Sequence, residues 1–347
     1  MILISGGGTG GHFFPALAIY EELTSLGYDP LFIGSFSGIE ARYKQSFKDP
    51  IFLKLSQFSN RGIFSKVRSS IEVIKASLEL KEKLKKSKRA ISFGGYASSA
   101  LSLGAIHRGL ELFIHEQNSV PGFANSIFSK RASMVFITFE SSKKYFPDAI
   151  KTGIPVRRSV LERLSLEKKD ARSALKLEKE SPCLLVMGGS QGSEFLNSLA
   201  KEVFSLTRWQ GIHICGKGRK EELELFYKER GIDVLVMEFY EDMGLIYKAC
   251  DVALSRAGAG SIWELSLFGL PAVFVPYPFA YKDHQHLNAL EIAQLGGGSV
   301  LPQEKADVKS VVSALSKILS SREEFSRLIK TFSNPIASKT ICEYLIS

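Results

Sequence analysis

Short apolar runs of four to six residues alternate with helix-length amphipathic stretches along this 347-residue chain, and the pattern is laid down twice. In the first half the runs fall at 2–5, 31–34, 51–55, 90–93, 112–116 and 134–138; in the second they fall at 183–187, 211–215, 234–237, 252–255 and 272–275. Unbroken apolar runs separated by helical patterns are what parallel strands need when both sheet faces are covered by crossover helices. No apolar run approaches the ~18 residues of a membrane span, since the longest, 270–280, is cut by Pro271, Pro276 and Pro278. The first residues, MILISGGG, carry no basic leader or small-residue cleavage site, so no export signal is expected.

The two halves open alike. The first run enters Gly6-Gly7-Gly8-Thr9-Gly10-Gly11-His12 and then a helical pattern at 15–26, with Pro15 in its first turn and Gly27 past its end. The run at 183–187 enters Gly188-Gly189-Ser190-Gln191-Gly192-Ser193 and a helical pattern at 194–206. A Gly/Pro break at Gly153-Ile154-Pro155 separates the two sheet patterns. The expected fold class is α/β: two Rossmann-like domains with parallel sheets, 1–153 and 154–331, facing each other across a deep cleft.

A glycine-rich turn between a strand and a helix lets backbone N–H groups approach phosphate oxygens, helped by the partial positive charge of the helix N-terminus. Residues 6–11 satisfy GxGxxG, but a dinucleotide fold also wants an acid at the end of the second strand. That strand ends Phe32-Ile33-Gly34-Ser35, with no acid before Glu40, which weakens a nicotinamide reading. Residues 211–217 spell GxxxxGK without the Ser or Thr that should follow Lys217, and their middle reads as a strand, against a Walker site. Two further turns, Gly94-Gly95 and Gly258-Ala259-Gly260, also follow strands and open helices. Four such turns at carboxyl ends of strands favour a phosphate-bearing substrate in the interdomain cleft.

Charge is uneven: residues 1–153 carry +8 of the net +9. Residues 60–90 alone hold ten Lys or Arg against three Glu. Such a face suits an anionic surface, either nucleic acid or acidic lipid, or else is a solvated helix. Cys183, Cys215, Cys250 and Cys342 show no CxxC spacing, so neither a disulfide framework nor a cysteine zinc site is expected.

Seven segments in order resemble the MurG family of bacterial GT-B glycosyltransferases over essentially the whole chain. They are GGTGGH at 7–12, FGGYAS at 93–98, HEQNSVPG at 115–122, GIPVR at 153–157, GGSQGS at 188–193, SRAGAGSIWE at 255–264 and DHQHLNA at 283–289. The resemblance implies a GT-B fold and transfer of GlcNAc from UDP-GlcNAc to lipid I, giving lipid II for peptidoglycan. It implies donor contacts from Ser190, Tyr240, Ala259, Gly260, Ser261, Ile262, Trp263, Glu264 and Gln285 in the second domain. Thr9, Gly10, Gly11, Asn118 and Arg157 would add donor contacts, and the acceptor would meet Gly94, Gly95 and Tyr96. Glu264 would accept ribose hydroxyls, one per carboxylate oxygen. The segment 332–347 would pack back on the first domain. Phe93 stands where the family usually has Gly, Ile154 where it has Asn, and Trp263 where it has a smaller residue, which puts local loop geometry in question.

The implied transfer inverts an α donor to a β product in one displacement. His12, with Glu116 as the other candidate catalytic group, is the expected base, since an ordinary imidazole titrates near ~6.5. Loop N–H groups, helix ends near Gly192 and Gly260, and Arg157 would meet the leaving-group charge, so no metal or other cofactor is obligatory. His284 and His286 form an HxH without an evident third ligand. Ile63, Phe64, Val67, Ile71, Ile74 and Leu78 recur at helical spacing among Lys66, Arg68 and Lys75, a pattern suited to lying on an anionic membrane surface. The chain is therefore expected as a peripheral protein on the cytoplasmic face of the cell membrane, with UDP-GlcNAc, lipid I and cell-wall synthesis proteins as partners and no nucleic acid. The competing readings are a GT-B enzyme acting on another membrane lipid such as diacylglycerol, a UDP-sugar epimerase, and a basic nucleic-acid-binding protein. The last leaves the glycine turns and Glu264 unexplained.

Overall fold

A computed structural model describes residues 1–55, 62–178, 180–189 and 191–347, with the side chains of 62–67 excepted. The chain forms two compact units, Met1–Arg157 together with Pro335–Ser347, and Arg158–Asn334. The sequence reading drew its line at Gly153. Residues 154–157 stay with the first unit: Thr152 and Gly153 donate N–H groups to Ile137 O, and the Arg157 guanidinium lies 4.2 Å from the Phe14 ring centre.

The first unit is a seven-stranded parallel sheet of β1 (Ile2–Ser5), β2 (Leu31–Ser35), β3 (Ile51–Leu53), β4 (Arg89–Ser92), β5 (Glu111–Glu116), β6 (Met134–Ile137) and β7 (Ile150–Lys151). Its order is β3-β2-β1-β4-β5-β6-β7. The second unit has β8 (Cys183–Met187), β9 (Gln210–Ile214), β10 (Val234–Met237), β11 (Val252–Ser255), β12 (Ala272–Phe274) and β13 (Gly298–Val300), in the order β10-β9-β8-β11-β12-β13 and again parallel. In both sheets the order reverses at the first strand, between β1 and β4 and between β8 and β11. Open α/β sheets bind ligands at such switch points.

β1, β8, β10 and β11 occupy the residues expected of them. β7 and β13 were not foreseen: β7 has two residues, and β13 begins in the turn Gly296-Gly297-Gly298, so neither shows an apolar run. The first helix starts earlier than Pro15 suggested, at Gly10, and runs to Ser25 with Pro15 inside it. Pro15 cannot donate to the Gly11 carbonyl, so the helix does without that bond in its second turn.

The core of the first unit on one sheet face joins Phe13, Leu17, Phe32 and Phe93 to Ile341, Cys342 and Leu345 from the last helix, Ala337–Ile346. Arg89 Nη1 donates to Leu345 O at 2.9 Å, fixing that helix to the start of β4. In the second unit Leu184, Val186, Val252 and Leu254 are sealed by Phe204, Tyr227 and Leu315.

Candidate functional site

In the first unit the turn after β1 and the turn after β4 pack directly on each other. A Cβ added at Gly95 would lie 2.5 Å from Gly7 O, and one at Gly94 would lie 3.2 Å from His12 Nε2. Gly94 and Gly95 have φ of +97° and +93°, which glycine alone adopts without strain. His12 is half-buried, with Nδ1 3.4 Å from Thr9 Oγ1. Gly8 and Gly11 are exposed, and a Cβ added at Gly8 would meet only open space. Tyr96 begins the helix Tyr96–Arg108 and is half-buried, packing against the core beneath.

The loop after β5 is held by Glu116. Its Oε1 accepts from Asn118 N at 2.9 Å, and its Oε2 accepts from Gly122 N at 3.0 Å and Asn125 Nδ2 at 2.8 Å. Burial pushes this carboxyl up, and the loop hydrogen bonds pull it down. With both oxygens engaged, Glu116 shapes the Asn118 loop; nothing in this geometry presents it as a proton acceptor. Its neighbour His115 is fully buried, its Nε2 donating to Gly153 O at 2.7 Å, and burial lowers it to about 4. Asn125, which the sequence reading did not single out, also donates to His115 O.

In the second unit two helices, Glu194–Thr207 and Ala259–Phe268, begin at the carboxyl ends of the adjacent strands β8 and β11. Ser193 caps the first by accepting from Leu196 N at 3.3 Å. Arg256 crosses between the two starts. Its Nε and Nη2 donate to Ser193 Oγ, Nη1 to Val275 O and Pro276 O, and Nη2 to Gln303 Oε1. All these partners are neutral, and desolvation lowers the guanidinium to about 10, still cationic at neutral pH. Gly189 and Gly260 border open space. Two helix N-termini with an uncompensated cation beside them are an arrangement that suits an anionic group such as a diphosphate. Sequence reasoning missed Arg256; the signal was an arginine placed directly after an apolar strand.

Glu264 is half-buried one turn further along and accepts from Tyr247 Oη at 2.8 Å through Oε2. Gln285 Oε1 accepts from Tyr277 N at 3.0 Å, which anchors the loop after β12. Tyr240 is half-buried in the loop after β10. Ser261 is half-buried, whereas Ile262 and Trp263 are buried in the core, the indole packing edge-on against Phe332. Both side chains face inward, so a donor contact from Ile262 or Trp263 would have to be made by backbone. Ser190 lies outside the described residues.

The candidate donor, acceptor and catalytic residues within the described parts thus come from strand ends and from the loops and helices that follow them. Thr9, Gly10, Gly11 and His12 follow β1, Gly94 to Tyr96 follow β4, Glu116 ends β5 and Asn118 follows it, and Arg157 follows β7. The membrane candidates lie apart, on the helix Gly62–Glu79. Ile63, Phe64, Lys66 and Val67 have side chains outside the described ones. Arg68 and Lys75 are exposed, and so are Ile71, Ile74 and Leu78, while Ser69, Ala76 and Ser77 face inward. No described helix is long and apolar enough to cross a membrane. Among the described residues no group of three His, Cys, Asp or Glu side chains could hold a metal, and His284 Nδ1 is engaged with Tyr281 O.

Residues 2–137 match the glycosyltransferase family 28 N-terminal domain, and residues 183–339 match its C-terminal domain. The chain is 45% identical to the UDP-N-acetylglucosamine–N-acetylmuramyl-(pentapeptide) pyrophosphoryl-undecaprenol N-acetylglucosamine transferase of Aquifex aeolicus, covering 100% of both chains. It is 36% identical to the enzyme of the same name from Wolinella succinogenes, over 93% of this chain and 94% of that one. Among solved structures it is similar to MurG from Acinetobacter baumannii, with a TM-score of 0.75 and 26% identity over 99% of this chain and 98% of that one.

Proposed function

The chain belongs to glycosyltransferase family 28, in the MurG family of UDP-N-acetylglucosamine–N-acetylmuramyl-(pentapeptide) pyrophosphoryl-undecaprenol N-acetylglucosamine transferases, and on that premise we propose how its residues divide the reaction. The enzyme transfers GlcNAc from UDP-GlcNAc to the lipid-linked N-acetylmuramyl-pentapeptide, making lipid II for peptidoglycan.

The second unit holds the donor. The observation that carries this reading is Arg256 bonded to Ser193 between two helix starts at adjacent strand ends. The diphosphate takes the N–H groups of both helix starts, and Glu264 accepts from the ribose hydroxyls. Tyr240 meets the uracil through its backbone, and Gln285 meets the sugar. In the first unit Gly94, Gly95 and Tyr96 receive the acceptor, and Thr9, Gly10, Gly11, Asn118 and Arg157 add donor contacts.

The displacement is inverting. The acceptor 4-hydroxyl oxygen bonds to the anomeric carbon while the carbon–oxygen bond to UDP breaks, UDP departing with the electron pair. His12 takes the hydroxyl proton at a ring nitrogen. Charge developing on UDP is met by the helix starts and Arg256, electrostatics that are in place before the reaction begins. The protein groups supply this stabilisation without an obligatory cofactor.

The first unit lies peripherally on the cytoplasmic membrane surface through the helix Gly62–Glu79. Exposed Ile71, Ile74 and Leu78, one helical stripe flanked by Arg68 and Lys75, support this. The decisive assay incubates the protein with radiolabelled UDP-GlcNAc and a short-chain lipid I analogue. A labelled disaccharide–lipid product is expected; label on diacylglycerol alone, or none on either lipid, would refute the reading.

A further inference from the structure

Among the described residues between the glycine turns at 6–11 and 94–95, Glu40 is the one acid that is buried, and it lies outside the donor and acceptor contacts above. Its side chain is 0% exposed. Oε2 accepts from Gly8 N at 2.8 Å and Oε1 accepts from Ser35 N at 3.1 Å, so one carboxylate ties the turn after β1 to the end of β2. Three glycines make room for it. A Cβ added at Gly7 or Gly38 would fall on the carboxylate itself, and one at Gly34 would lie 2.9 Å from Glu40 Cγ.

Burying a carboxylate is costly unless its oxygens are used, and here both are used on backbone that a neutral core would have no reason to restrain. Thr9, the N-cap of the helix Gly10–Ser25, makes no side-chain cap bond to it. The turn is therefore gripped from below by Glu40 and from the side by Gly95, whose close approach to Gly7 O leaves no slack. His12 stands four residues beyond the gripped amide of Gly8.

We propose that Glu40 is a positioning residue for transfer: it sets the turn that carries Thr9 to His12, and it withdraws the Gly8 N–H from substrate. The proposal rests on the reading of the first unit as the acceptor and base side. It predicts a loss in turnover with little change in UDP affinity, because the groups that take the diphosphate, ribose and uracil belong to the second unit; the donor contacts of Thr9, Gly10 and Gly11, which the turn itself carries, weaken with it and raise KM for UDP-GlcNAc.

The test measures transfer from UDP-GlcNAc to a soluble lipid I analogue by wild type, Glu40→Gln and Glu40→Asp, with calorimetric titration of UDP on the same preparations. Gln keeps the length but sets an amide N–H against a backbone N–H, and Asp cannot span both donors. For both variants kcat is expected to fall 10- to 100-fold, with UDP bound at unchanged stoichiometry and within threefold of wild-type affinity. Wild-type kcat in Glu40→Gln overturns the proposal, as does a fall in UDP stoichiometry that accounts for all the lost rate, which would mark a folding role only. Should neither variant fold, Gly38→Ala reads the same contact: its added methyl displaces the carboxylate, and unchanged kcat there overturns the proposal too. Absence of transfer by wild type would refute the functional reading instead, before any variant is compared.

Discussion

Arg256 holds the Ser193 hydroxyl with two nitrogens, Nε at 3.1 Å and Nη2 at 2.9 Å, although the two residues lie 63 positions apart. Ser193 at the same time caps the helix Glu194–Thr207, so one hydroxyl couples a helix start to a buried cation.

Arg256→Lys keeps the charge but cannot reach Ser193, Gln303 and the two carbonyls together. A charge that is kept but no longer fixed at the helix starts forfeits part of the about 10²-fold in turnover that one preorganised donor is worth, and kcat is expected to fall by up to that order in steady-state assays. Transfer in a strong chelator should stay at the untreated rate, because the charge is met by protein groups. An absolute requirement for added Mg²⁺ would contradict that.

Glu264 is aimed by Tyr247, which donates to it at 2.8 Å. Glu264→Ala should weaken UDP binding by roughly 10- to 100-fold, in line with one lost charged hydrogen-bonding group. Tyr247→Phe, which leaves the carboxylate in place but unaimed, should cost less than tenfold. Equal losses for both, measured by calorimetry, would mean that the pair acts only through folding.

His12→Ala should reduce kcat by about 10²- to 10⁴-fold, the usual span for a general base, with KM for UDP-GlcNAc little changed. A rise in KM at constant kcat would assign the imidazole to binding.

Membrane attachment should fail gradually. Replacing Ile71, Ile74 and Leu78 together by Ser, at sites already facing solvent, should leave thermal stability unchanged and lower binding to phosphatidylglycerol vesicles. Charge reversal at Arg68 and Lys75 should do the same at low salt and less at high salt. Undiminished vesicle flotation in both variants would remove this helix from the membrane.

Two histidines are buried neutral, one in each unit. Burial lowers His115 to about 4 and His213 to about 3, from an ordinary 6.5. Below pH 6.5 the unfolded chain takes up protons that the folded chain refuses, so stability is full above that value and is lost as pH falls toward 4 and then 3. The shifts correspond to roughly 3–5 kcal/mol for each site. Denaturant midpoints should drop steeply between pH 6.5 and 4, and His213→Gln, which keeps a partner for Asn197 or Tyr227, should flatten that fall in the second unit.

The alternation of strand and helix and the four glycine turns were legible because the signals are written locally, and three of the turns, after β1, β4 and β8, hold glycines whose φ or close neighbours leave no place for a side chain. Candidates at strand ends followed from the same logic. The return of the last segment to the first unit was expected only through the family resemblance, and what escaped were individual side-chain relationships: Arg256 with Ser193, Glu40 with Gly8, and Asn125 with Glu116. The inward face of Trp263 escaped for the same reason, since its partner Phe332 is supplied from 69 residues away. Pro15 misled because the usual place of proline in a first turn overrode the signal of Gly10 and Gly11 before it. β13 was hidden by Gly298, which the neighbouring strand requires: a Cβ there would lie 2.6 Å from Ala272 O.

The helix Ala337–Ile346 completes a hydrophobic core begun by Phe13 and Leu17, so the whole of the second unit is threaded between two parts of the first. On a ribosome the amino-terminal half must therefore wait, with an apolar stripe uncovered, until some 180 further residues have emerged. A nonsense codon between Ala337 and Ile341 would remove all three of the helix's core side chains and strand that half open, even though every residue near the substrates had already been made.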